Sequence, residues 1–146
     1  MVEVEEASCI AGSGIRGDRF YNYKENYKGQ ITFFSEEVFW ALCRELDAWD
    51  KPPSVFRRNV LVRGDALNAL IGQAFQIQGI EFFGVEECKP CHWMNEAFCP
   101  GAEQAMKGRG GLRARVLTSG VLRIAKPAKS VEDLFRECRL PQFAAV

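Results

Sequence analysis

The sequence has no net charge, a single histidine and no long apolar run. Its 19 Lys and Arg balance 19 Asp and Glu. That balance argues against a nucleic-acid binder working through bulk charge, so no nucleic-acid partner is expected. No stretch approaches the roughly 18 apolar residues of a spanning helix, so no membrane partner is expected either. The opening MVEVEEASC is acidic and lacks an apolar run of signal-peptide length. The expected compartment is therefore the cytoplasm. There, six cysteines are expected to be free, metal-bound or catalytic rather than paired in a disulfide framework. Internal repeats and low-complexity segments are also absent from the sequence.

What is present suits one domain over residues 1–146, with its core over about 2–125. Hydrophobic residues make up 47% and aromatics 12%, enough to bury a substantial core. Val2, Val4 and Ile10 suggest an opening strand. Residues 11–29, AGSGIRGDRFYNYKENYKG, hold four glycines and read as a long loop, a feature that is often functional. QITFF (30–34) is a strand. SEEVFWALCRELDAW (35–49) is the strongest helix: Ser35 can cap it, Glu36 and Glu37 suit its positive end, and Val38, Leu42, Leu46 and Trp49 fall on one face. Pro52 and Pro53 close that unit.

Further along, FRRNVLVRG (56–64) reads as a strand and DALNALIG (65–72) as a short helix or turn. QAFQIQ and GIEFFGVEE form a hairpin around Gly79, with Phe82 and Phe83 assigned to the core. Residues 107–125 give a glycine-rich turn and strands broken at Ser119-Gly120, and Ser130 opens a terminal helix over about 130–138. About seven short strands with one strong helix predict a mainly β fold, a barrel or sandwich with a few peripheral helices, over repeated βαβ units.

The stretch ECKPCHWMNEAFCPG (87–101) concentrates the chemistry: three cysteines and the one histidine. Its C-x-x-C-H is the attachment signature of c-type haem, but that attachment occurs outside the cytoplasm, so no haem is expected. Cys88, Cys91, His92 and Cys99 supply four candidate zinc ligands, yet structural zinc usually takes two separated pairs and the second pair is missing. A thioredoxin-like dithiol needs a βαβ setting, which the β-rich pattern does not supply. Buried thiols often only fill space, the reading given to Cys9, Cys43 and Cys138. Cys91 is different. It follows a proline in a polar segment beside Lys89, and positive charge near a thiol favours the nucleophilic, metal-ligating thiolate.

Four segments, taken in order, resemble one known family. They are GIRGDRFY (14–21), GQITFFSEEVF (29–39), FRRNVLVRGDALNALIGQAFQI (56–77), and CKPC with GRGGLRARVLTSGVLRI (88–91, 108–124). Together they are similar to the MOSC domain, named after the C-terminal part of molybdenum-cofactor sulfurases, and to its small stand-alone members. Arg-Arg-Asn-Val, a G-x-x-F strand and then Pro-Cys is the most specific part. The likeness spans about residues 2–125. It departs where members often end the last strand with Gly-Asp and this chain has Ala125-Lys126. It also lacks the N-terminal β domain that larger members place before this unit.

The resemblance implies a MOSC-type β-barrel. It also implies a pterin-based molybdenum cofactor (molybdopterin), or a sulfur atom, as ligand. Cys91 then carries the sulfur or ligates the molybdenum, and Arg58 and Asn59 face the cofactor. The chemistry suits these residue types: a thiolate is a soft metal ligand and accepts sulfur as a persulfide, and guanidinium donors match a phosphate. Asp18 and Arg19 are candidates for the mouth of the site, in contact with ligand or with each other. Arg109 and Arg113, with the glycine amides of 108–111, are candidates for an anion site. The implied partners are a small-molecule cofactor or sulfur donor, and a cysteine desulfurase or redox partner. One activity that follows is molybdenum-dependent reduction of N-hydroxylated compounds. Two alternatives of other classes stay open: a non-catalytic zinc- or partner-binding module held by Cys88, Cys91 and Cys99, and a structural barrel with inert thiols.

Overall fold

The computed structural model describes residues 4–64, 66–124 and, for the backbone, 142–145. The expected helix over 130–138, and with it Cys138, lies outside the described residues, as do Val2 and the Ala125-Lys126 turn. The strands are β1 (Glu6–Ile10), β2 (Gly14–Ile15), β3 (Ile31–Ser35), β4 (Val60–Arg63), β5 (Ala74–Ile77), β6 (Ile80–Glu87), β7 (Leu112–Val116), β8 (Gly120–Arg123) and β9 (Gln142–Ala145). The helices are α1 (Glu36–Leu46), α2 (Trp93–Ala97) and α3 (Ala102–Ala105). Two sheets result, one of three strands ordered β2-β1-β8 and one of six ordered β5-β6-β7-β3-β4-β9. The larger sheet curls into a half-barrel, so the fold is mainly β with few helices.

Two-residue periodicity explains how β3 serves two cores. Ile31 and Phe33 point into the barrel with Val60, Val62, Phe82, Leu112 and Leu122. Phe34 points outward, to a second core built from Val38, Phe39, Leu42, Phe56, Phe98 and Met106. Thr32, between Ile31 and Phe33, is polar, and it matters at the site below. Phe82 is buried as expected, whereas Phe83 is half-buried, with Arg115 lying 5.2 Å over its ring.

All seven expected strands form, and β2 and β9 add to them. The βαβ connection is the local departure. β3 and β4 run parallel, in register Phe33↔Val60 and Ser35↔Val62, with α1 as crossover between them. A parallel pair cannot be joined by a tight turn, and the one strong helix lies where a crossover is needed. Ser35 caps α1 by accepting from the Val38 N–H at 3.2 Å. Asp47 in a left-handed conformation (φ 49°) ends the helix earlier than the apolar spacing suggests. Trp49 therefore leaves the buried face and is 58% exposed, its indole donating to Asp47 at 3.1 Å.

Cys9, on β1, is completely buried in the barrel core. Loss of solvent pushes its thiol up from 9.0 to about 11. The unfolded chain then ionises first, so stability is full below about pH 9 and falls as pH rises towards 11. A shift of this size amounts to about 2–3 kcal/mol. Denaturant titrations at pH 8 and 10.5 are expected to show a steeper loss in the native protein than in Cys9→Ala. Equal slopes in the two proteins contradict the assignment.

Candidate functional site

One large cleft, of about 940 Å³, runs between the long loop 11–29, the segment before β4 and the cysteine stretch. Among the described residues six cations line it, Arg16, Arg19, Arg57, Arg58, Lys89 and Arg113, against one carboxylate, Asp18. Cys88 and Cys91 line it too, and Phe20, Tyr27 and Trp93 contribute aromatic wall. Of the residues singled out from the sequence, the fold brings together Cys91, Arg58, Asn59, Asp18, Arg19 and Arg113.

Arg58 enters the cleft already fixed. Its Nη1 donates to the Phe56 carbonyl at 2.8 Å and its Nε to the Gly110 carbonyl at 3.0 Å. Arg57 adopts φ 57°, and its guanidinium lies 5.2 Å over the Trp93 ring. Asn59 acts as a clamp. Its Oδ1 accepts from the Thr32 N–H at 2.8 Å and from the Thr32 hydroxyl at 3.0 Å, while its Nδ2 donates to Asp18 Oδ1 at 3.2 Å. Asp18 Oδ2 accepts from the Phe20 N–H at 2.9 Å. The lone carboxylate is thus spent on holding the loop, and Asn59 ties that loop to β3. Arg19 packs over Phe20 at 4.7 Å. Phe20, Tyr23 and Tyr27 meet edge-on or tilted with centroids 4.8–5.5 Å apart, which ties the loop to itself.

The glycine-rich turn shapes the floor. The Cys88 N–H donates to the Gly111 carbonyl at 2.8 Å. A Cβ on Gly110 would stand 2.0 Å from the Cys88 carbonyl, and one on Gly111 would stand 2.5 Å from that of Phe33. Only glycine allows so close a backbone approach. The turn also separates the two arginines that the sequence grouped. Arg113 stays on the cleft side, where its guanidinium charge acts on the Cys88 thiol, and it lies 3.7 Å from Glu86. Lys28 reaches the same carboxylate at 2.9 Å, and these cations hold Glu86 below the usual carboxylate range. Arg109 points to the helix side, donating to the Ala105 carbonyl at 2.8 Å and pairing with Glu45. It lines a separate hollow of about 130 Å³ and not the cleft.

The cysteines differ sharply. Cys91 is exposed, Cys99 is half-buried against the outer core, and Cys9, Cys43 and Cys88 are buried. Burial pushes the Cys88 thiol up, opposed by the guanidinium charges of Arg58 and Arg113. His92 is exposed, its Nδ1 3.4 Å from the Asn95 amide. Among the described residues no three His, Cys, Asp or Glu side chains gather as a metal-binding group, so Cys88, Cys91 and Cys99 are not assembled as a zinc site. Among the same residues no helix is long and apolar enough to cross a membrane.

The sequence reading did not assign Arg16 or Arg57 to the site, and gave Lys89 only a role beside Cys91. Arg16 and Arg57 stand next to residues it did single out, in Gly-Ile-Arg-Gly-Asp-Arg and Arg-Arg-Asn, so density of arginine in these segments was the available signal.

The MOSC domain model matches residues 21–128, a range that holds Arg58, Asn59, Cys88, Cys91 and Arg113 of the cleft. The chain belongs to the MOSC domain family. Among solved structures, this MOSC chain resembles the YUAD protein from Bacillus subtilis, with a TM-score of 0.67 and 16% identity, covering 82% of this chain and 81% of that one. It also resembles a hypothetical protein with a TM-score of 0.61 and 17% identity, covering 84% of this chain and 58% of that one. At such identities the likeness is one of fold. No curated protein matches the sequence. The MOSC domain is associated with the molybdenum cofactor, which supplies the chemical frame for the cleft.

Proposed function

We propose that the cleft holds an anionic small molecule against Cys91, and that Cys91 carries sulfur for assembly of metal–sulfur cofactors. One observation carries this reading. Among the described residues the exposed thiol shares a cleft with six cationic side chains, and the one carboxylate there is occupied by Asn59 and the Phe20 amide. Cys91 attacks the outer sulfur of a donor persulfide, such as that borne by a cysteine desulfurase. A new S–S bond forms on Cys91, the donor's S–S bond breaks, and the donor leaves as its thiolate.

The donor set also fits the molybdenum cofactor. Arg58 and Arg113 offer charge-assisted donors to a phosphate, and Cys91 offers one soft ligand to a metal that arrives already chelated. The volume suits a small molecule, for which sites run to about 300–1,000 Å³. When bound, that cofactor supplies a redox-active metal, and reduction of N-hydroxylated compounds becomes the activity of the same cleft. Arg58, locked by two carbonyls, then orients the anion, while Asn59 keeps the loop wall in place.

Sulfur uptake from inorganic polysulfide, counted by intact-protein mass, tests the first form. The native chain is expected to gain one sulfur on Cys91 and Cys91→Ser none at that site. Equal loading in the variant rules the reading out. Elemental analysis of protein from cofactor-making cells tests the second form, with about one molybdenum per chain expected, and lost in Cys91→Ser.

A further inference from the structure

Cys88 is the nucleophile of the cleft that the proposed function leaves without a task. It precedes Cys91 by three positions in Cys88-Lys89-Pro90-Cys91, and both line the same cleft. Its surroundings are not those of a space-filling thiol. Cys9 and Cys43 sit within the two apolar core clusters, and Cys88 belongs to neither. It shares the cleft lining with Arg58 and Arg113, whose guanidinium charges act on it. Its backbone is fixed at both ends of the residue, the N–H on Gly111 and the carbonyl against Gly110. A rigid, cation-flanked, 3%-exposed thiol therefore stands at the floor of a cleft whose exposed thiol is Cys91. The two-residue separation is that of redox dithiols.

We propose that Cys88 is the resolving thiol of Cys91, discharging a persulfide on Cys91 as sulfide and closing a Cys88–Cys91 disulfide. The inference rests on Cys91 carrying sulfur. Cys88 Sγ attacks Cys91 Sγ, and the bond from Cys91 Sγ to the outer sulfur breaks. That sulfur departs as hydrogen sulfide, keeping its own hydrogen and taking the proton of the Cys88 thiol. Two electrons pass from the cysteine sulfurs to the departing sulfur, so two thiol-level sulfurs become a disulfide. The guanidiniums of Arg58 and Arg113 steady the negative charge that develops as Cys88 gives up its proton. A dithiol reductant then reopens the disulfide and resets the site. The device delivers sulfur in reduced form inside the cleft, without a thiol entering from solution.

The test loads the full chain with sulfur from inorganic polysulfide, desalts it and leaves it without added thiol. Released sulfide is trapped, and the cysteines are mapped by non-reducing peptide mass spectrometry. The native protein is expected to release sulfide equal to the sulfur loaded and to gain a Cys88–Cys91 disulfide. Cys88→Ser and Cys88→Ala are expected to load on Cys91 yet hold the sulfur, with release slowed by a factor on the order of a hundred and restored by dithiothreitol. If both variants release as fast as the native chain, the proposal is overturned while Cys91 as carrier stands. If the native chain takes up no sulfur on Cys91, the proposed function fails and takes this inference with it. Diamide treatment of the native chain needs no variant: a Cys88–Cys91 cross-link supports the geometry, and its absence overturns it.

Discussion

Phe56→Ala is expected to lower the unfolding free energy by about 3–5 kcal/mol, the usual cost of removing a buried phenylalanine. Phe56 is fully buried, and its ring centroid lies 4.9 Å from that of Phe34, 4.9 Å from Phe98 and 6.2 Å from Phe39. These rings come from β3, α1 and the end of α2, so one side chain closes the outer core from three directions. Its truncation removes ring contacts with all three and leaves a void in a close-packed core. Typical domains are stable by about 5–15 kcal/mol, so the variant is left marginal. The damage reaches the site through the backbone, because the Phe56 carbonyl holds Arg58 and Phe98 anchors the segment that follows Cys91. Urea denaturation checks the value. The midpoint should fall with the slope unchanged, and Phe56→Leu should lose far less. A loss in Phe56→Ala below about 1 kcal/mol contradicts the packing described.

Arg58→Ala is expected to weaken binding of pyrophosphate, a stand-in for a cofactor phosphate, by about tenfold to a hundredfold. That range corresponds to about 1.5–3 kcal/mol for hydrogen bonds to a charged group. Arg58 is pre-organised by the Phe56 and Gly110 carbonyls, so little side-chain freedom is lost when an anion arrives. Arg58→Lys keeps the charge without the planar fork and should recover only part of the affinity. Arg109→Ala is the matched control: the turn at 108–111 sends Arg109 to Glu45, away from the cleft, and its removal should leave pyrophosphate binding unchanged. Calorimetry at two salt concentrations reads both changes. Native-like affinity in Arg58→Ala contradicts a binding role for this residue.

The elements that alternate or carry their own caps were legible in the sequence. β7 follows apolar alternation through Leu112, Ala114 and Val116, and α1 starts at Ser35 because Ser35 Oγ satisfies the Val38 amide. The end of α1 was not legible from apolar spacing, since the left-handed Asp47 decides it and Trp49 lies beyond. Segment order brought Cys91, Arg58 and the Gly-Ile-Arg-Gly-Asp-Arg loop to one place on paper, and the fold places them around one cleft. The use of Asn59 was harder to see. Its Thr32 contacts depend on the parallel register of β3 and β4, a long-range pairing that local patterns do not encode. Arg109 and Arg113 look equivalent in Gly-Arg-Gly-Gly-Leu-Arg, yet the positions forced by the Cys88 and Phe33 carbonyls at Gly110 and Gly111 send them to different sides.

The central claim is that Cys91 is the chemically available group of a cation-lined cleft. Brief alkylation of the native chain with iodoacetamide, with and without pyrophosphate, followed by peptide mapping, tests it most directly. The account predicts that Cys91 is labelled ahead of Cys9, Cys43, Cys88 and Cys99, and that pyrophosphate slows labelling at Cys91 alone. Labelling at Cys91 no faster than at the buried cysteines, or unaffected by pyrophosphate, contradicts it.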